Sequence, residues 1–285
     1  SAINAIIVVG LNLLMGYAGQ ISLGHAAFYG LAAYTTSIAT TTYGFPIWGG
    51  ILLALVLVVV VAYLIGVPSL KLTGHYLAMA TLGFGVIVYI FFNETVELTG
   101  GPTGFVGIPR LELFGYSFDS DLAYYYLVVS VLAAVILVSL NLINSRVGRA
   151  LRAIHTSEVA AQVLGINISR YKVFVFVLSA FYAAIAGILY AHYLTFVAPS
   201  SFGFNFSVEL VVMVVLGGMA SVWGAVVGAF FLTILPEFLR AFEELDILIF
   251  GAILIVCMIF LPGGIAGGVR KLWERARPKR EAESG

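Results

Sequence analysis

Charge is what this sequence has least of. Only 10% of its 285 residues are Asp, Glu, Lys or Arg, against about a quarter in soluble domains. No charged side chain occurs before Lys71, none between Lys172 and Glu209, and none between Asp246 and Arg270. A water-facing surface cannot be built from such stretches. With 61% hydrophobic residues and a mean hydropathy of +1.07, the chain reads as an integral membrane protein, since runs of roughly 20 apolar residues suit helices crossing a hydrocarbon layer about 30 Å thick. The alternating segments of about 10 residues that mark a β-barrel are missing.

Other absences narrow the chemistry. One cysteine, Cys257, allows no internal disulfide and says nothing of the redox compartment. There is no HExxH, no clustered metal-ligand spacing and no nucleophile elbow. Catalysis by this chain is therefore not expected, and neither a cofactor, a metal nor a nucleic-acid partner is called for. A phosphate-cradling GxxxxGK[ST] loop is missing too, so any ATP that drives this protein must bind a partner chain. Pumps and ion-coupled transporters keep acids or paired charges at mid-depth, and these spans are nearly empty of them. Ser1 opens directly into apolar sequence with no n-region, so the start reads as trimmed rather than as a signal peptide.

What charge there is has been sorted by position. Of 14 basic residues, five (Arg146, Arg149, Arg152, Arg170, Lys172) stand in the loop 144–172 against the single acid Glu158, and six stand between Arg270 and Arg280. Acids gather elsewhere, Glu94, Glu97, Glu112, Asp119 and Asp121 in one loop and Glu237, Glu243, Glu244 and Asp246 in another. Short loops rich in Lys and Arg stay on the cytoplasmic side. That tendency puts the 144–172 loop and the tail 269–285 in the cytoplasm and the acidic loop 93–121 outside, with residues 1–268 forming one transmembrane domain.

Apolar runs near 2–15, 25–40, 47–67, 72–92, 122–141, 173–192, 206–217, 221–239 and 247–262 make about nine membrane segments. The expected fold is an all-α polytopic bundle, some of its segments short or broken. Gly74, Gly83 and Gly85 interrupt the fourth run, and broken helices are tolerated in lipid only where they line a cavity or pack on protein; this run is therefore a pathway candidate. Ser179, Ala183, Gly187 and Ala191 recur every four residues, as do Ala220, Gly224 and Gly228. Such stripes are packing faces for close backbone approach. A faint internal similarity links 16–30 with 217–228, each a glycine-rich turn leading into a small-residue helix.

Polar residues inside the apolar runs are few. Asn12, Gln20, Ser22, His25, His75, Gly83, Gly85 and Glu209 are the candidates for a solute path. The loop 144–172 is the other candidate site. Its Glu158-Val-Ala160-Ala161-Gln-Val-Leu-Gly165 stretch is helix-competent, with Gly165 suited to a C-cap. Two readings of it stay open on residues alone: an interfacial amphipathic helix whose arginines meet headgroups, and a docking helix for a partner, with small Ala160 and Ala161 at the contact.

That stretch resembles the EAA-type cytoplasmic loop of ABC importer permeases, with one residue more between the Glu and the paired alanines. The likeness extends through GYAGQISLGHAAFYGLAAY (16–34), LTGHYLAMATLGFG (72–85), LTGGPTGFVGIP (98–109), the block from Arg149 to His192 and GGMASVWGAVVGAFF (217–231). Together these are similar to the LivM-type branched-chain amino acid permease family. The resemblance implies a permease subunit in the inner membrane importing leucine, isoleucine and valine, with relatives that move urea or short amides. It implies as partners a second, LivH-like permease, two cytoplasmic ABC ATPases and an extracytoplasmic solute-binding protein. On this reading Arg149, Arg152, Glu158, Ala160, Ala161 and Gly165 form the ATPase-coupling helix. The rivals are an ion-coupled secondary transporter or channel and a purely structural membrane subunit.

Overall fold

A computed structural model describes residues 1–70, 74–113, 116–118 and 120–239, together with Gly251, Ile255, Gly264, Ile265, Gly267 and Gly268. All of the segment expected at 247–262 except Gly251 and Ile255, together with Lys71, Asp119, the acids Glu243, Glu244 and Asp246, and the basic tail 269–285, lies outside the described residues, Cys257 included.

The bundle is organised on its longest helix, which we number α9 in chain order. It runs Ile168–Leu194, about 40 Å at 1.5 Å per residue. Asn167 starts it, its side-chain oxygen accepting the Arg170 N–H at 3.1 Å. The stripe Ser179, Ala183, Gly187, Ala191 is fully buried, as its spacing predicts. Small residues there bring backbones together. A Cβ on Gly187 would fall on the Tyr29 carbonyl oxygen of α2 (His25–Thr41), and one on Gly10 of α1 (Ala2–Asn12) would meet Tyr182 at 3.0 Å.

α3 (Ile47–Ser69) is apolar on every side, so polarity cannot choose its inner face; size does. Gly50, Ala54, Val58, Ala62 and Gly66, spaced by four, are buried, while Leu52, Leu53, Val56 and Leu64 are exposed. α4 (His75–Glu94) corrects the reading of a broken helix. It is continuous through Gly83 and Gly85, because a glycine lost among apolar helix formers costs only about 1 kcal/mol and leaves the hydrogen-bond ladder intact. The real interruption lies earlier. α1 ends in a π-helical turn, Leu13–Tyr17, and residues 19–24 are non-helical before α2 begins at His25.

α5 (Val96–Thr99) and a 3-10 turn, Gly101–Thr103, open the acidic loop. Phe105–Val106 then pairs antiparallel with Phe196–Val197, and Glu112–Leu113 with Tyr116–Ser117. The TGGPTG stretch needs its glycines: Gly100, Gly101 and Gly104 all have positive φ. α6 (Asp121–Asn144), capped by Ser120, leads to α7 (Arg146–Thr156) and α8 (Glu158–Val163). After α9 come α10 (Phe204–Gly217) and α11 (Val222–Leu239), which pack on each other and on α1.

Among the described residues five helices are long and apolar enough to cross a membrane: α3, α4, α6, α9 and the Pro199–Gly217 unit containing α10. The other helices within the predicted runs, α1, α2 and α11, fall short of that measure by length, so the figure of nine full crossings is not reached here. The sheets are two-residue pairs outside the spans, and the chain is an all-α membrane protein.

Candidate functional site: a polar interior and a cationic lever

Most of the interior polar residues bond to one another or to the backbone. His25 Nε2 lies 2.6 Å from Ser179 Oγ, midway along α9, and its Nδ1 lies 3.0 Å from Ser22 Oγ. Thr81 Oγ1 of α4 accepts the Leu23 N–H at 3.0 Å, and Ser207 Oγ of α10 accepts the Ala26 N–H at 3.3 Å. The Thr81 hydroxyl repays a backbone N–H of the non-helical residues 19–24, as such a stretch at membrane depth requires, and the Ser207 hydroxyl one in the first turn of α2. Gln20 is buried, and both of its side-chain amide atoms lack a hydrogen bond.

Asn12 joins the two glycine-rich turns that look alike in sequence. Its Oδ1 accepts the Ala220 N–H at 3.0 Å and its Nδ2 donates to the Ser221 carbonyl at 2.7 Å. Gly16 abuts the same Ala220 backbone. Ala220 itself precedes α11, with φ +58°, so only Gly224 and Gly228 of that triplet lie on the helix. Replacing buried Asn12 by alanine removes two part-buried hydrogen bonds to the Ala220 N–H and the Ser221 carbonyl, and we expect a loss of about 1 kcal/mol. Thermal unfolding of the purified protein in detergent checks this; an unchanged transition refutes it.

The remaining path candidates sit differently. His75 is exposed at the start of α4 rather than at mid-depth. Gly83 faces open space, whereas Gly85 lies against Leu23 and Gly24, where a Cβ would stand 3.5 Å from the Leu23 carbonyl oxygen. Glu209 is exposed on α10, one turn from exposed Asn205. His192, which has no role in the sequence reading, ties the far end together: Nε2 to Thr36 Oγ1 at 3.0 Å, Nδ1 to the Pro109 carbonyl at 2.7 Å. Nothing in its spacing marks it.

The loop 144–172 folds as two short helices. Ser145 and Ser157 cap α7 and α8. α7 is amphipathic, with Leu151 and Ile154 buried and Arg146, Arg149 and Arg152 outward. The Arg152 guanidinium donates to the Ile143 carbonyl at 3.1 Å, and that of Arg149 to the Asn144 carbonyl at 3.4 Å. At the end of α8 the Ile166 N–H reaches the Ala161 carbonyl and the Gly165 N–H that of Gln162, both at 3.0 Å. This is the double bond of a Schellman cap, with Gly165 at φ +79°.

Two expectations about this helix change. Ala160 is exposed but Ala161 is buried, because adjacent residues on a helix point about 100° apart. Glu158 does not reach outward; it accepts from Lys172 Nζ of α9 at 2.7 Å, with that lysine side chain only 4% exposed. The outward surface of α8 and its cap is instead Val159, Val163 and Leu164, at 74%, 83% and 76% exposure.

Residues 1–258 match the family described as "Branched-chain amino acid transport system / permease component". The chain is 35% identical to the high-affinity branched-chain amino acid transport system permease protein LivM of Salmonella typhimurium, over 98% of this chain and 70% of that protein. To LivM of Escherichia coli it is 35% identical, over 91% and 67%. To the LivH permease protein of Escherichia coli it is 26% identical, over 92% of this chain and 91% of that one. No solved structure matches.

Proposed function

Because the chain belongs to the branched-chain amino acid transport permease family, we propose that it is a transmembrane permease subunit of an ATP-driven importer and that α7 and α8 couple it to partner ATPases. Its solutes are leucine, isoleucine and valine, the class carried in its relatives' names; urea or a short amide is the alternative. One observation carries the coupling: three large aliphatic side chains, Val159, Val163 and Leu164, stand out from an otherwise cationic lever. Aliphatic groups held at such exposure outside the membrane-length helices are worth their solvation cost if a partner covers them.

In this reading the loop 144–172 and the tail 269–285 are cytoplasmic, residues 1–268 are one permease domain in the cell membrane, and loop 93–121 faces an extracytoplasmic binding protein. A second, LivH-like permease completes the path. Gly165 holds the end of α8, Arg149 and Arg152 fix α7 to the end of α6, and Ala161 seats α8 on the bundle. Contact with the ATPase falls to Val159, Ala160, Val163 and Leu164. We place the solute path along the exposed α4 and α10 surface, where Glu209 and Asn205 offer polar groups, and assign Asn12, Ser22 and His25 to holding the bundle. Alternation then needs a rigid lever on a packed interface with two arrangements.

The test is a mild-detergent pull-down of the native complex with identification of the bound chains and an ATPase assay. Val163→Glu combined with Leu164→Asp should cut recovery of ATPase subunits at least tenfold while leaving the permease inserted. Full recovery by the double variant defeats the docking surface. A protein that comes out alone, without ATPase activity, defeats the importer reading and favours an ion-coupled transporter using Glu209.

A further inference from the structure

Two cavities meet at the start of α9, where Asn167 and Ser169 line both. One, of about 500 Å³, holds the Glu158–Lys172 pair and belongs to the lever. The other, of about 630 Å³, opens between α9 and the last turns of α3. Its walls are apolar: Tyr63 and Val67 from α3, Val173, Phe174 and Val177 from α9. Its rim is polar, made of Asn167, Ser169 and Arg170. Arg170, Val173, Phe174 and Val177 share one helical face at spacings of three and four.

The geometry points to a binding site for a single anionic phospholipid of the leaflet on the α7 side, its phosphate on Arg170 and Ser169 and one acyl chain lying between Tyr63 and Phe174. Charge and shape support this independently. Arg170 is exposed, and its guanidinium has no hydrogen bond or ion pair to the described residues, unlike Arg149, Arg152 and Lys172, whose cationic groups are all engaged. From residue 122 to residue 208 the only acid is Glu158, already taken by Lys172, and among the described residues no carboxylate pairs with Arg170. A planar guanidinium with an adjacent hydroxyl suits a phosphate. From Arg170 to Val177 the groove descends about 10 Å along α9, and every wall residue below the rim is hydrocarbon or aromatic. A soluble phosphate would use the rim and waste the groove. A lipid uses both.

The inference is independent of ATP coupling and can be tested apart from it. The full chain, purified with its partners, is reconstituted in nanodiscs holding phosphatidylglycerol and phosphatidylcholine in equal amounts, and the lipids retained after detergent extraction are counted by native mass spectrometry. We expect phosphatidylglycerol to be retained about tenfold over phosphatidylcholine. Arg170→Glu should abolish the preference, Val177→Trp should lower total retention by filling the groove, and Arg146→Glu, an equal charge change away from the groove, should alter neither. No anionic preference, or one that survives Arg170→Glu, overturns the proposal. A photo-crosslinker in place of Tyr63 separates the occupants: attachment to lipid supports the site, and attachment to a protein chain overturns it.

Discussion

Replacing Gly187 by alanine should lower the unfolding temperature of the purified protein by about 5–10 °C, and replacing it by leucine should prevent a folded bundle from being recovered. The added Cβ lands on the Tyr29 carbonyl oxygen and within 3.3 Å of the Ala32 side chain. Backbone is on the far side, so no rotamer change relieves the clash. Overpacking of this kind costs about 1–3 kcal/mol, and for a chain of this size each kcal/mol moves the transition by about 2–4 °C. Gly83→Ala is the matched control. A Cβ there meets nothing within 4 Å, and the substitution gains up to about 1 kcal/mol of helix propensity. Differential scanning fluorimetry in one detergent compares the two. Equal shifts would mean that the α2–α9 contact does not limit stability.

The second large effect is expected at the joint between α8 and α9. Glu158→Gln leaves Lys172 buried at 4% exposure without a counter-ion. Breaking a fully buried pair costs about 3–5 kcal/mol. Here the Glu158 side chain is 42% exposed, so water at the carboxylate brings the figure toward the roughly 1 kcal/mol of a surface pair. The functional effect should be larger than the energetic one. On the importer reading proposed above, a loosened joint no longer carries movement of α8 to α9, and in proteoliposomes holding the whole complex solute uptake should fall about tenfold while ATP hydrolysis persists. Lys172→Met should be milder, since the carboxylate it leaves is already half in water. Exchanging the charges, Glu158→Lys with Lys172→Glu, should recover much of the uptake. A swap no better than Glu158→Gln alone would show that the pair does not act as a joint, whatever the fate of the importer reading.

These two sites differ in how readily the sequence discloses them. The stripe on α9 announces itself, because spacing by four and small volume are both properties of the string, and the structure buries every member of it. α3 was equally plain: the run 47–67 became Ile47–Ser69. In the fourth run glycine reads as a breaker, but eighteen neighbours supply a continuous ladder around Gly83 and Gly85. Lys172 is the harder lesson. In the sequence it is one of five bases in a loop with a single acid, and only the return of α9 beside the first residue of α8 shows it to be the partner of Glu158. A pairing across fourteen residues and an intervening cap has no period to betray it. His192 is hidden for the same reason, since its partners are on α2 and in the loop near Pro109. Ala160 and Ala161 were read as equivalent, and the turn of the helix divides them.

The late start of α2 has an electrical consequence. Its peptide dipoles place about half an elementary positive charge at the helix N-terminus, which here lies beside Ser179, midway along α9. The groups that meet this end are hydroxyls of Ser22, Thr81 and Ser207, and residues 1–70 contain no carboxylate to neutralise it. The half charge is therefore answered by hydroxyl dipoles rather than by a carboxylate of these residues, and in a medium that screens poorly it makes this end of α2 a poor place for a cation.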